Sequence, residues 1–257
     1  MRSATSQLLL VMALAFVCGP LAAQEKPKKV RKRGIPKALK FYKGRRIAQT
    51  MHFTGARWLI RNEREREERC SLMLANLGLK QGMTVCDMGC GNGFYSLQMA
   101  KIIGDKGRIL AVDVQPQMLF KLRTRMEKAK LENVTPILGS FHSPRLPKGV
   151  VDLILLVDVY HEFSHPEPML KAMRDSLAPN GVIVLVEYRA EDETVPIRPL
   201  HKMTKGQIMK ELPANGFKLV KEFNRLPWQH MMSFARSDSK LKKIEPKKFV
   251  LKKRRRR

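Results

Sequence analysis

The residues best suited to chemistry concentrate in one short run, Asp87-Met88-Gly89-Cys90-Gly91-Asn92-Gly93, where glycines fall at alternate positions behind an acid. A residue without Cβ lets the backbone bend sharply and bring its amides close to a ligand. An apolar run precedes the loop and an amphipathic one follows it. The loop should therefore feed a helix whose first N–H groups lack partners in the chain. Asp113 ends the next apolar run, twenty residues beyond Gly93. A carboxylate there can accept from both hydroxyls of a ribose, so loop and acid together predict a pocket for a nucleoside-bearing ligand. A nicotinamide dinucleotide calls for G-x-G-x-x-G. Here Phe94 stands where the third glycine belongs and Gly93 falls one residue early.

A second group lies in Asp158-Val159-Tyr160-His161-Glu162-Phe163, after a later apolar run. His161 titrates near neutrality and is the candidate general base. Glu162 is expected to orient it or to meet a cationic acceptor. The plain structural alternative is a satisfied histidine beside a helix-capping acid. Glu187 is a further candidate, with pairing to Arg189 as its structural alternative. Tyr42 to Arg61, including Thr54 to Trp58, and Pro196 to Met203 with His201, are expected to lie over the acceptor as lids, although Trp58 reads slightly better as packing.

These groups need a scaffold that brings distant tips together. The apolar runs Val85–Met88, Arg108–Asp113, Val134–Leu138, Val150–Asp158 and Val182–Glu187 are short and nearly continuous, the pattern of strands buried on both faces. Between them, Phe94–Ile103, Gln115–Lys130 and His165–Leu177 carry helical periodicity, and Pro179-Asn180-Gly181 reads as a turn. Arg61–Leu77 is expected to be one helix ahead of the sheet, and Thr204 caps another running to about Leu212. Phe217–Phe223 and His230–Arg236 close the chain as a strand pair. The alternation predicts an α/β, doubly wound Rossmann-like fold, with a seven-stranded, mostly parallel sheet and a C-terminal antiparallel strand.

The acid-x-Gly-x-Gly-x-Gly loop, Asp113 and this strand order resemble class I S-adenosylmethionine (SAM)-dependent methyltransferases over about Tyr42 to Arg236. The small-molecule branch that includes the quinone C-methyltransferases and the methyltransferase type 11 domains is the nearest. The resemblance implies SAM as cofactor. It also implies a binding set of Asp87, Gly89, Gly91, Asn92 and Gly93 around the methionine moiety, Asp113 on the ribose, Val114 and Met118 against the adenine, and Asp158 beside them. Where family members often carry an Asp for the adenine amino group, this chain has Ser140-Phe141, and Ser140 would substitute. His161 and Glu162 fall on the segment that borders the methyl group in the family. No Asn-Pro-Pro-Tyr run follows the fourth strand, so a small-molecule acceptor is expected rather than a DNA base or a protein glutamine.

Composition adds two features. The net charge is +27, and most of it sits at the ends: residues 25–46 and 240–257 each hold eleven Lys or Arg and one acid. Such ends are expected to be a basic leader and a disordered basic tail that attract polyanions or anionic membrane surfaces loosely, without specific nucleic-acid recognition. Residues 1–24 read as a signal peptide, with Arg2 before the apolar run Leu8–Val17 and small residues near Ala23. Export is the expectation, an uncleaved amino-terminal anchor the alternative, and residues 47–239 the methyltransferase domain. Beyond Cys18, three cysteines remain (Cys70, Cys86 and Cys90), an odd number with no zinc-site spacing, and they read as packing residues. The competing readings are a non-catalytic module of the same fold that binds a polyanion through its ends, and a nicotinamide oxidoreductase, which the loop spacing opposes.

Overall fold

The computed structural model describes residues 34–248. The signal-like segment, the first part of the basic leader and the last nine residues lie outside them. Among the described residues no helix is long and apolar enough to cross a membrane.

Two-residue strands β1 (Phe41–Tyr42) and β2 (Arg45–Arg46) form a small hairpin. The central sheet is built from β3 (Thr84–Met88), β4 (Arg108–Asp113), β5 (Val134–Leu138), β6 (Val151–Val157), β7 (Leu177–Tyr188), β8 (Phe217–Phe223) and β9 (Gln229–Arg236), in the order β5-β4-β3-β6-β7-β9-β8. All neighbours are parallel except β9, which runs antiparallel to both β7 and β8. The expected Rossmann-like architecture is therefore present.

Burial on both faces explains the continuous apolar runs. Val85, Ile109, Leu153, Leu155 and Val184 face a layer formed by α2 (Cys70–Asn76), α3 (Phe94–Ile103) and α4 (Pro116–Ala129), through Met73, Met99, Ile103, Leu119 and Leu122. Cys86, Leu110, Ile154, Leu156 and Ile183 face α5 (Pro166–Ser176) and α6 (Lys205–Glu211), through Leu170, Met173 and Ile208. Successive strand residues alternate between the two layers, as the pleat requires. Cys70, Cys86 and Cys90 are free and buried. Thr204 caps α6 by accepting from Gln207 N–H at 3.0 Å.

Two elements differ from the sequence expectation. Arg61–Leu77 is not one helix: α1 (Arg64–Glu68) stops at Arg69, whose φ of 53° is left-handed, and α2 restarts at Cys70. The break turns Glu68 inward to accept from Arg61 Nη2, Arg64 Nε and Tyr188 Oη at 2.6, 2.8 and 2.9 Å, a tertiary reward that local helix propensity does not register. Pro179-Asn180-Gly181 does not end an element either. It lies within β7 as an irregularity, since Val151 pairs with Leu177 and Leu153 already with Val182. Of the basic tail, residues 240–248 lie against β8: Ile244 N–H donates to Leu219 O at 2.9 Å and Lys247 N–H to Glu222 Oε2 at 3.0 Å.

Candidate active site

β3 is flanked by β4 on one side and β6 on the other, so the chain reverses its winding direction there. A crevice must open at the carboxyl ends of these strands. A cavity of about 630 Å³ occupies it, within the range of small-ligand sites. Along the sheet edge from β5 to β7 its walls carry Ser140 and Phe141, then Asp113 and Val114, then Gly89 and Gly91, then Asp158, His161 and Glu162, and finally Tyr188.

The glycine loop is held by Asp113. Gly91 N–H donates to Asp113 Oδ2 at 2.9 Å and Gln115 N–H to Oδ1 at 2.8 Å, while Gly89 and Cys90 N–H both donate to Val112 O. Gly89 and Gly91 have φ of 69° and 54°. A Cβ on Gly89 would stand 2.4 Å from Val159 Cγ2, and one on Gly91 2.5 Å from Leu59 Cδ1, so neither position accepts a side chain. Asp87 sits behind the loop, not on the cavity wall, and accepts from Ser96 Oγ at 2.5 Å. Burial raises its pKa to about 6 against the pull of that hydrogen bond. Asn92 also faces away, donating to Ala56 O and accepting from Arg125 Nη1. Gly93 starts α3. Of the residues expected around a cofactor, Gly89, Gly91, Asp113, Val114, Met118, Ser140, Phe141 and Asp158 therefore line the cavity, and Asp87, Asn92 and Gly93 shape the loop from behind.

Asp158 follows β6 with a left-handed φ of 53°. Its Oδ2 accepts from Gln229 Nε2 at 2.8 Å, but its buried Oδ1 has no partner among the described residues. An unsatisfied buried acceptor costs about 1–3 kcal/mol. Burial pushes this carboxyl well above its usual range, and the charges of Glu68 and Glu187 push it further while Arg64 opposes them. Asp158 Oδ1 is thus an unmet acceptor on the cavity wall, open to a donor from a bound ligand.

The next residues along the edge form a second cluster. Glu187 is fully buried and accepts from Tyr160 N–H at 2.9 Å, and its Oε2 lies 2.7 Å from His161 Nδ1. Arg189 does not serve Glu187; its guanidinium instead donates to the carbonyls of Leu226 and Pro227. His161 Nε2 lies 3.1 Å from His201 Nδ1. Burial alone would lower the pKa of His161, but the Glu187 carboxylate outweighs it and holds the ring above its ordinary value. Glu162 accepts from Met51 N–H at 3.3 Å, and burial lifts its pKa to about 7.

A strap crosses this edge, and it was legible only in part. Arg45 donates to Glu211 Oε1 at 2.8 Å and to His161 O at 2.8 Å, and Ala48 N–H reaches His161 O at 3.1 Å. Further along, Phe53 N–H donates to Gln115 Oε1 and Gln115 Nε2 to Met51 O. The 3-10 segment Phe53–Ile60 then covers the glycine loop, placing Trp58 and Leu59 on the cavity wall. Arg64, stacked over Phe94 and Tyr95 at 4.6 and 4.8 Å, lies just beyond. Sequence reasoning missed Arg64, Gln115 and Tyr188, which reach the cavity from segments with no motif of their own. The acidic-basic density around Arg61–Glu68 was the one available signal.

The residues fit SAM. Its ammonium group would supply the donor that Asp158 Oδ1 lacks. The glycine cradle admits backbone contact that a Cβ would close, and Asp113 retains lone pairs for the ribose. Fold and site together define the class I SAM-dependent methyltransferases. A family profile described as a methyltransferase domain matches residues 79–245, and the chain belongs to that family. The fold agrees with a SAM-dependent methyltransferase from Aquifex aeolicus, at a TM-score of 0.68 and 24% identity, covering 72% of this chain and 98% of that one. A ubiquinone/menaquinone biosynthesis C-methyltransferase from Shewanella sp. strain W3-18-1 is 23% identical over 146 residues, 56% of this chain and 57% of its own length. A protein-L-isoaspartate O-methyltransferase from Methanococcoides burtonii is 28% identical over 116 residues, 45% of this chain and 54% of its own. The chain thus spans little more than half the length of these curated relatives.

Proposed function

We propose that the protein transfers a methyl group from SAM to a small, largely apolar molecule whose reacting atom lies beside His161, Glu162 and His201. The observation that carries this reading is the cavity itself. One continuous, partly open cavity is lined by the SAM-compatible residues and by Trp58, Phe163, Met169 and Ile197, together with the polar cluster His161, Glu162 and His201. The relatives named for quinone C-methylation and for O-methylation of a protein show that related sites serve different acceptors, and the apolar wall favours a ring-bearing small molecule.

SAM, when bound, supplies a methyl group on a sulfonium, already a good electrophile. The protein's part is alignment and exclusion of water. Asp113 holds the glycine loop in the shape that receives the nucleoside. Asp158 offers its free oxygen to the ammonium group of the cofactor. Glu187 fixes the ring of His161, and His161, Glu162 and His201 are assigned to prepare the acceptor atom. The strap closes the edge through Gln115 and Glu162. We further propose that the basic ends hold anionic surfaces loosely, a role supported by charge alone.

Release of S-adenosylhomocysteine in the presence of a panel of quinols, phenols and amines tests the acceptor class. Turnover with at least one of them is expected, and turnover only with a polypeptide or nucleic acid would overturn it. Calorimetry should show SAM binding and no NAD binding. Asp113→Ala removes the loop's anchor and the ribose acceptor together, and should weaken SAM roughly tenfold or more, the worth of hydrogen bonds to a charged group. Unchanged affinity would remove the ribose assignment.

A further inference from the structure

We propose that His161, Glu162 and His201 together hold one divalent metal ion of borderline softness, such as Zn²⁺, Co²⁺ or Fe²⁺, at the acceptor half of the cavity. The proposal deepens the methyltransferase reading and rests on it for the place of the acceptor. The three side chains come from two separate segments, the 3-10 turn after β6 and the turn before α6, yet each offers a ligand atom and all those atoms lie within 4.8 Å of one another.

The geometry between the histidines suits an ion. Two imidazole nitrogens bound at about 2.0–2.1 Å to one ion stand about 2.9 Å apart at right angles and about 3.3 Å apart at the tetrahedral angle. His161 Nε2 and His201 Nδ1 are 3.1 Å apart. The Nδ1 of His161 is already committed, 2.7 Å from Glu187 Oε2. A carboxylate on the far nitrogen of a ligating histidine is the arrangement that fixes its tautomer and presents the other lone pair. Glu187 is fully buried, and its other oxygen is fixed by Tyr160 N–H at 2.9 Å. Glu162 gives Oε1 to Met51 N–H, and its second oxygen remains for the ion. Two imidazoles, Glu162 and the outer Glu187 balance a charge of +2.

All three ligands line the cavity, so the ion would keep at least one coordination position facing the acceptor. An acceptor hydroxyl placed there would break its O–H bond, passing the proton to water and keeping the electron pair on the metal-bound oxygen, which is the better nucleophile. The competing account is a metal-free hydrogen bond in which the two imidazoles share a proton.

The test uses the full chain without a histidine tag, stripped with chelator and titrated with Co²⁺. Visible d–d absorption and calorimetry report uptake, and SAM binding is measured in parallel. One equivalent of Co²⁺ is expected. His201→Ala and Glu162→Gln should each weaken it at least tenfold, and Glu187→Gln about 10- to 100-fold through the lost outer contact. His52→Ala, outside the cluster, should leave uptake unchanged. No uptake by the wild-type chain, or uptake that survives both His201→Ala and Glu162→Gln, overturns the metal site. SAM binding without Co²⁺ uptake removes this inference alone, whereas loss of both removes the methyltransferase reading as well.

Discussion

Asp87 carries a charge where water does not reach. In an unfolded chain it titrates near 3.9; in the folded protein burial raises it to about 6. Between those values the folded state holds a proton that the unfolded state has lost. The stability associated with the neutral form is complete below about pH 4 and disappears as pH rises through 6. Asp87→Asn, neutral throughout and able to meet Ser96, should therefore stabilise the cofactor-free protein at pH 8 on the order of 1–3 kcal/mol and much less at pH 4. Thermal denaturation at the two pH values reads the difference. An equal effect at both would mean that the charge is not strained. Gly89 makes a steric prediction instead. In Gly89→Ala the new Cβ meets Val159 Cγ2 at 2.4 Å on a backbone with φ of 69°. A loss of roughly 1–3 kcal/mol is expected. Adding Val159→Ala should restore only the part owed to the collision, because the left-handed backbone penalty stays. Full recovery in the double variant would show that φ at this residue is unimportant.

At the scale of elements, one side chain links the strap to α4. Gln115 accepts from Phe53 N–H at 2.9 Å and donates to Met51 O at 2.8 Å, tying the 3-10 segment to the start of α4. Gln115→Ala should raise hydrogen exchange at Phe53 and its neighbours while β3, β4 and β6 remain protected, and raise the KM for SAM severalfold. Unchanged exchange at Phe53 would mean that the strap is held elsewhere. This element also marks the limit of what the residues reveal unaided. β3, β4 and β6 were legible because a strand buried on both faces writes itself as a continuous apolar run, and Gly89, Gly91 and Asp113 because a local loop and a strand tip carry their own pattern. The break at Arg69 was not legible. Local spacing favours one helix, and what opposes it is Glu68 meeting Tyr188, a residue that lies far along the chain. Glu187 and His201 could be named as candidates but not joined to His161, since only the sheet order brings the ends of β6 and β7 together. Arg64 had only the charge density of its segment as a sign, and Gln115 had none.

Across the whole molecule, charge is distributed very unevenly. The segment from Phe249 to Arg257 contributes six positive charges and no negative one. The packed part of the carboxyl end is secured before it: Lys247 N–H donates to Glu222 Oε2, and Lys205 Nζ to Lys247 O at 3.0 Å. Removing residues 249–257 keeps these upstream bonds in place, so the melting temperature and SAM affinity are expected to hold. Attraction to an anionic surface should respond strongly. Each Lys or Arg close to such a surface contributes about 1 kcal/mol, and salt screens it within a Debye length. The shortened chain is expected to partition less onto vesicles containing phosphatidylserine, with the gap between full-length and shortened proteins closing as salt is raised. Equal partitioning at low salt would place the membrane attraction in residues 25–46 or on the globular surface. A simultaneous fall in SAM affinity would instead make the terminal charges part of the site.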